Sequence, residues 1–347
     1  MKKKIIFFPF ILLLILFLES CSLNENNDYN IYSGNIDYSY SSDSEFEVPE
    51  SDNPLGYKVQ YVCNNGEIGE STSNLSNKVI DPGAPKKLFA KFLGWYSDLE
   101  LNNIFDFNTV IDSDITLYGK WDINYPNLIS YIYQNTILAN VKIDCQAFKY
   151  NSNGKKSYSS SVSQGSGVIF HENNNYYFIL TNNHVVYIEN DYDGADYTIF
   201  DCYNNEYSGQ LFVKDKDYDL AILALPKDNL KKDLCKLDFL SYDIDIGQEV
   251  ISISNPKGLS NSISFGTVKE YYRYVPSQAT IDKNNINFDV IKSDTYINSG
   301  SSGGVLLDTN LKIAGISFAS QSTITGEYLH SYAIPSSKVI EFVNTYI

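Results

Sequence analysis

The chain has 347 residues, room for one large domain or two to three ordinary ones. It carries 26 Lys+Arg against 42 Asp+Glu, a net charge of −16, which argues against a nucleic-acid binder because that needs a basic footprint. A hydrophobic content of 43% is enough for a real core and excludes wholesale disorder. The 29 Tyr, with many Ile, Asn and Ser, favour strands joined by polar turns. The chain has three His residues (His171, His184 and His330), so any imidazole chemistry has few candidates.

Lys2, Lys3 and Lys4 precede an uncharged apolar run over residues 5–18. That run is too short to cross a bilayer and suits the core of an export signal. It ends in Leu18-Glu19-Ser20-Cys21, which resembles a bacterial lipobox. The resemblance implies that residues 1–20 are a lipoprotein signal peptide and that Cys21 is lipidated, palmitate included. The alternative is a plain secretory signal. The expected location is the outer face of a bacterial cell membrane, lipid-anchored, or the medium. An acidic chain gains nothing from anionic lipid, so a covalent anchor is a sensible way to hold it there. Residues 21–54 are polar and acidic without apolar period, and read as a disordered tether reaching roughly 30 Å.

Cys63, Cys145, Cys202 and Cys235 remain. They form no CxxC pair and no Cys/His cluster, which argues against a metal site, and no cofactor is expected. Export permits disulfides, and both paired and free thiols stay open.

Residues 55–123 form a separate unit. Tyr57 to Cys63 alternates like a strand, and Asn64-Asn65-Gly66 supplies a turn. Phe92-Leu-Gly-Trp95-Tyr96 and Ile115-Thr-Leu-Tyr118-Gly-Lys-Trp121 come next. These strings resemble the Listeria–Bacteroides repeat, also called the InlB B-repeat, a small β-grasp-like surface module. So small a unit has little core, and its Trp, Tyr and Phe are expected to fill it.

Residues 124–347 open with an amphipathic stretch, Leu128 to Ile137, that reads as a helix. Short β-patterned runs come after it at 167–170, 176–180, 197–200, 220–225, 249–253, 264–268, 304–307 and 313–316. Turn residues separate them, the pattern of an all-β sandwich or barrel. A helix over 336–347 closes the chain, with Ser336 or Ser337 near its N-cap.

Three strings carry chemistry: Thr181-Asn-Asn-His184, Asp217-Tyr-Asp219-Leu, and Asn298-Ser-Gly300-Ser-Ser302-Gly-Gly304. Each alone reads equally as a loop or a cap. In the order His, Asp, Ser they resemble the trypsin-like serine proteases, specifically the HtrA/Deg branch. Gly165-Ser-Gly-Val-Ile169, Asn255-Pro-Lys-Gly258 and Tyr332-Ala-Ile-Pro335 add to that likeness. The resemblance implies a chymotrypsin-like double six-stranded β-barrel with the site between the barrels, and a serine endopeptidase acting on proteins or peptides. Ser302 is then the nucleophile, His184 the base and Asp219 its orienting partner. Asp215 and Asp217 stand nearby, but Asp219 directly precedes the apolar strand. The N–H groups of Gly300 and Ser302 form the oxyanion hole. Tyr296 is expected at the base of the specificity pocket and Ser317, Phe318 and Ala319 along its wall, a neutral pocket for small or medium aliphatic side chains. The chain ends soon after Pro335, so no PDZ domain is expected, and the trimer or cage assembly of HtrA proteins is not carried over. With Ser301 beside the nucleophile, a trypsin-type zymogen is not expected. Two alternatives stay open: an adhesion protein on an inactive protease fold, and an esterase on the same fold.

Overall fold

Alternation in the first strand sends Val59 and Tyr61 to one face, where both are fully buried. The computed structural model describes residues 56–63, 68–73, 76–228, 230–258, 260–275 and 283–347; the export signal, Cys21 and the acidic tether lie outside them. The N-terminal unit is a four-stranded sheet of β1 (Lys58–Val62), β2 (Ile68–Thr72), β3 (Ala90–Tyr96) and β4 (Ile115–Ile123), in the order β2-β1-β4-β3. β1 and β4 run parallel and the other neighbours antiparallel. Trp95 fills its core at 2% exposure, its ring edge-on to Tyr61 at 5.0 Å. Its indole N–H donates to Gly83 O (3.1 Å), and that of Trp121 to Cys63 O (2.9 Å), so both polar handles are satisfied. The aromatic residues of this unit therefore act as its core.

This unit is tied to the helix beyond it. Asn124 N–H donates to Phe89 O at 2.7 Å, and the Phe89 ring lies 5.2 Å from Tyr131. Tyr131 belongs to α1 (Tyr125–Gln134), which starts three residues earlier than the amphipathic pattern suggests. Asn124 caps it by accepting from Asn127 N (3.1 Å), and Pro126 needs no N–H partner in the first turn. Leu128 and Ile132, one turn apart, are its buried stripe.

The first barrel comprises β5 (Asn140–Tyr150), β7 (Ser163–Glu172), β8 (Tyr176–Thr181), β9 (Gly194–Phe200), β10 (Glu206–Asp215) and β11 (Leu220–Pro226). The short β6 (Lys156–Tyr158) is a hairpin partner outside β5. The order β5-β7-β8-β11-β10-β9 closes through a β5–β9 pairing. Residues 220–225 are buried on both faces, which is why that run lacks alternation. The second barrel has β12 (Glu249–Ser254), β13 (Ser262–Arg273), β14 (Asp289–Ser293), β15 (Val305–Leu307), β16 (Ile313–Ser322) and β17 (Tyr328–Pro335), closed in the order β12-β13-β14-β17-β16-β15.

The final helix, which we number α3 after a one-turn α2 (Asn183–Val186), spans Ser336–Tyr346. Its cap is not Ser336 or Ser337 acting alone. Asp243 accepts from Ser337 N (3.0 Å) and Ser337 Oγ (2.8 Å), so a carboxylate from the inter-barrel segment meets the positive helix end. Val339 and Phe342 are fully buried against the barrels; burying a Phe contributes about 2–3 kcal/mol. The four described cysteines are free thiols. Burial pushes the thiols of Cys145 and Cys202 up to about 11 and that of Cys235 to about 12.

Candidate active site

β8 ends at Thr181 and the chain turns at once into α2, which delivers His184 from the first barrel. Asp219 sits just before β11 on the same barrel. The His184 ring Nδ1 lies 2.8 Å from Asp219 Oδ2 and 3.1 Å from Oδ1, and His184 N–H donates to Oδ1 at 2.9 Å. A second donor, Asn284 Nδ2, reaches Oδ2 at 2.9 Å. Asp219 is fully buried, and this burial raises its carboxyl above the ordinary aspartate value while His184 and the backbone donors pull it back. Its backbone is left-handed (φ +51), a region Asp tolerates, and Asn182 Nδ2 holds its carbonyl at 3.0 Å. Asp217 and Asp215 are engaged elsewhere, on Asn285 (2.7 Å) and Tyr346 (3.2 Å). With Nδ1 committed to Asp219, the outer ring nitrogen Nε2 is the one that can take a proton from a neighbour.

Ser302 arrives from the second barrel on the turn before β15. Ser166 of β7 clamps this turn twice: its N–H donates to Ser302 O (2.7 Å) and its hydroxyl to Gly300 O (2.8 Å). The same hydroxyl accepts from Asn255 N (2.8 Å), and Asn255 Nδ2 continues to Val141 O (2.8 Å). A buried polar chain thus joins β5, β7, the end of β12 and the Ser302 turn. Ser301 points inward, fully buried, accepting from Ser254 Oγ (3.0 Å) and Asn298 N (3.1 Å). Gly300 adopts φ +91, and a Cβ there would lie 3.0 Å from Asn255 O and 3.1 Å from Lys257 N. Among the described residues the N–H groups of Gly300 and Ser302 donate to nothing, while the intervening Ser301 N–H is held by Asn298 O (2.8 Å). Two free N–H donors flanking a serine can receive a developing oxyanion. The Ser302 hydroxyl itself donates to Phe318 O at 3.3 Å, and not to His184. To be activated it has to exchange that carbonyl for the imidazole.

The residues expected around the specificity pocket lie as follows in the structure. Tyr296 is 52% exposed, its ring against Tyr328 (4.9 Å) and its hydroxyl accepting from Asn298 Nδ2 (3.1 Å). Its neighbours Thr295 (0%) and Ile297 (4%) are buried, so Tyr296 is the residue of this run that faces outward. Ser317 and Phe318 are buried, and the Phe318 ring meets Tyr274 edge-on at 4.9 Å. Asp294, the nearest acid in sequence, is occupied by Lys269 (2.7 Å) and Thr267 N (2.6 Å), which hold its carboxyl below the usual range. No carboxylate is left there to pair a buried substrate cation.

Residues 165–316 match the family profile of the trypsin-like peptidase domain. The chain carries a trypsin-like peptidase domain. Ahead of that domain, residues 57–120 match the Listeria-Bacteroides repeat domain. The chain is 35% identical over 192 residues to the serine protease Do-like HtrA of Bacillus subtilis, an alignment covering 54% of this chain and 40% of the relative. It is 32% identical over 181 residues to a probable periplasmic serine protease do/HhoA-like of Haemophilus influenzae, covering 52% and 35%. The chain therefore spans less than half the length of these relatives. Among solved structures, the HtrA-type protease AlgW with a serine-to-alanine substitution and a decapeptide superposes with a TM-score of 0.50 at 24% identity, over 64% of this chain and 66% of that one, a likeness of fold. Ser166 and Asn255 stand in strings that carry the HtrA/Deg resemblance, but a single sequence gives them no role. Asn284 carries no sequence signal at all.

Proposed function

We propose that the chain is an exported serine endopeptidase, held at the outer face of a bacterial membrane by lipid on Cys21. The observation that carries the enzymatic reading is the hydrogen-bonded Asp219–His184 pair on one barrel, together with a serine on the other whose turn leaves the Gly300 and Ser302 N–H groups without partners. Ser302 Oγ attacks the scissile carbonyl carbon and its proton passes to His184 Nε2. The resulting oxyanion is received by Gly300 and Ser302 N–H, and Asp219 stabilises the imidazolium. The C–N bond then breaks as His184 returns the proton to the leaving amine, leaving an ester on Ser302. Water repeats the sequence and frees the acid. With Asp294 occupied, the substrate residue at the cleaved bond is neutral and apolar, small to medium in size. The names of the relatives, Do-like and periplasmic serine proteases, support the peptidase reading and a location in the cell envelope.

One observation favours a second reading. The Ser302 hydroxyl rests on Phe318 O, as it could in an adhesion protein with an idle protease fold. A fluorophosphonate probe separates the two. We expect wild-type protein to be labelled and to cleave casein, and Ser302→Ala to do neither while keeping its circular dichroism spectrum. Unlabelled wild type would overturn the enzymatic reading; labelling without casein cleavage would favour the esterase. For the anchor, palmitate labelling is expected to vanish in Cys21→Ala, with release to the medium; unchanged labelling would place the anchor elsewhere.

A further inference from the structure

Three consecutive residues between β13 and β14 are bound to the two loops that present His184 and Asp219. Asn183 Nδ2 donates to Lys283 O (2.6 Å), and Asn285 N–H donates to Lys216 O (2.8 Å). Asn285 Nδ2 adds a bond to Asp217 (2.7 Å). Between them Asn284, 7% exposed, puts its amide on the same Asp219 oxygen that the imidazole uses. Its orientation is fixed chemically. Asn284 Oδ1 accepts from Ile286 N (3.2 Å), and a carboxylate can receive only the NH2 end.

We infer that Asn284 is the positioning residue of the His–Asp pair, supplied by the second barrel to a carboxylate of the first. This rests on the peptidase reading above. An isolated buried carboxylate can rotate about its terminal torsion, which is broad for Asp. Here Oδ1 is held by His184 N–H, and Oδ2 is shared between the imidazole and the Asn284 amide. The amide occupies one lone-pair direction of Oδ2 and leaves the other for Nδ1–H. That fixes the imidazole tautomer with Nε2 unprotonated and facing outward. Ser317, the buried hydroxyl along the expected pocket wall, makes no bond to Asp219. Asn284 is thus the one side chain besides His184 that donates to the Asp219 carboxylate among the described residues.

The test is a double-mutant cycle in the full chain. Rates on labelled casein are normalised to sites counted by fluorophosphonate labelling. Asn284→Ala is expected to lower kcat about tenfold, with KM changed less than about twofold, because a bond to a charged group is lost without touching substrate. In an Asp219→Asn background the same substitution is expected to cost less than about twofold in kcat per labelled site, since the carboxylate it serves is gone. A residue that merely supports the fold would cost the same in both backgrounds. Should the alanine variant fail to fold, the isosteric Asn284→Asp carries the test. It sets a carboxylate against Asp219, so the loss exceeds tenfold, and pairing it with Asp219→Asn relieves that loss. Equal effects in the two backgrounds, or wild-type kcat in either variant, would overturn the inference. If wild type is active and the cycle is additive, this assignment alone fails; if wild type neither labels nor cleaves, the peptidase reading fails first.

Discussion

Replacing Ser166 by alanine removes one hydroxyl and disconnects two buried groups. Gly300 O loses its donor and Asn255 N–H its acceptor, both at 2.8 Å. A buried polar group left without a partner costs about 1–3 kcal/mol, so the variant should lose roughly 2–4 kcal/mol of stability. For a domain of this size that lowers Tm by roughly 5–15 °C. Catalysis should suffer separately. The Gly300 carbonyl belongs to the peptide plane lying between the two free N–H donors, and the hydroxyl is what sets that plane. Losing one oxyanion donor outright costs about 100- to 1,000-fold in kcat elsewhere. Loosening the plane that joins the two should cost at least about tenfold, with KM nearly unchanged because substrate does not touch Ser166. Casein turnover per fluorophosphonate-labelled site, measured well below the lowered Tm, gives the catalytic figure free of unfolded protein. A variant that melts earlier yet keeps wild-type kcat per labelled site would refute the oxyanion argument. One unchanged in both would refute the clamp.

Gly303→Ala should not yield folded protein: at φ +84 a Cβ would sit 2.1 Å from Ser166 O and 2.3 Å from Thr181 Oγ1, and soluble, cooperative melting would count against this packing. Stability should also depend on Asp308, whose carboxyl burial pushes up to about 6 from an ordinary 3.8. Oδ1 is bonded to the N–H groups of Asn310 and Lys312, while Oδ2 has no hydrogen-bond partner. Because the folded value is raised, its contribution is full below about pH 4 and is lost as pH rises through 6, a swing of about 3 kcal/mol. Urea melts of Asp308→Asn against wild type should differ in slope across that window and run parallel outside it; identical pH profiles would remove Asp308 as the cause.

Legibility in the sequence tracks burial. The runs 220–225 and 313–316 stand out as apolar because both faces of β11 and of the start of β16 are covered. β10 alternates between half-buried and exposed residues and is far less visible, and β14 is short. Asp219 is separable from Asp215 and Asp217 by its place before an apolar strand, and it is the acid that His184 meets. The surroundings of Tyr296 are not legible, because counting back from the nucleophile gives a position but not a direction. One step along an extended chain reverses the face, and Thr295 and Ile297 take the interior. Ser166, Asn255 and Asn284 act across gaps of 89 to 134 residues in Ser166–Asn255 and Ser166–Gly300, and 65 in Asn284–Asp219. Nothing local in a single chain encodes such pairings.

The division of labour between the barrels also sets a schedule. His184 and Asp219 are complete once β11 has been made, but at that stage they have no hydroxyl to act on and no Asn284 to hold them. The serine, its two N–H donors and the amide all arrive with the second barrel. On the peptidase reading, a chain that still lacks its second barrel is chemically inert, and cutting power appears only when that barrel closes. A chain built this way cannot turn on itself while it is still being made, because the serine that would do the cutting reaches the imidazole only when its own second barrel has closed.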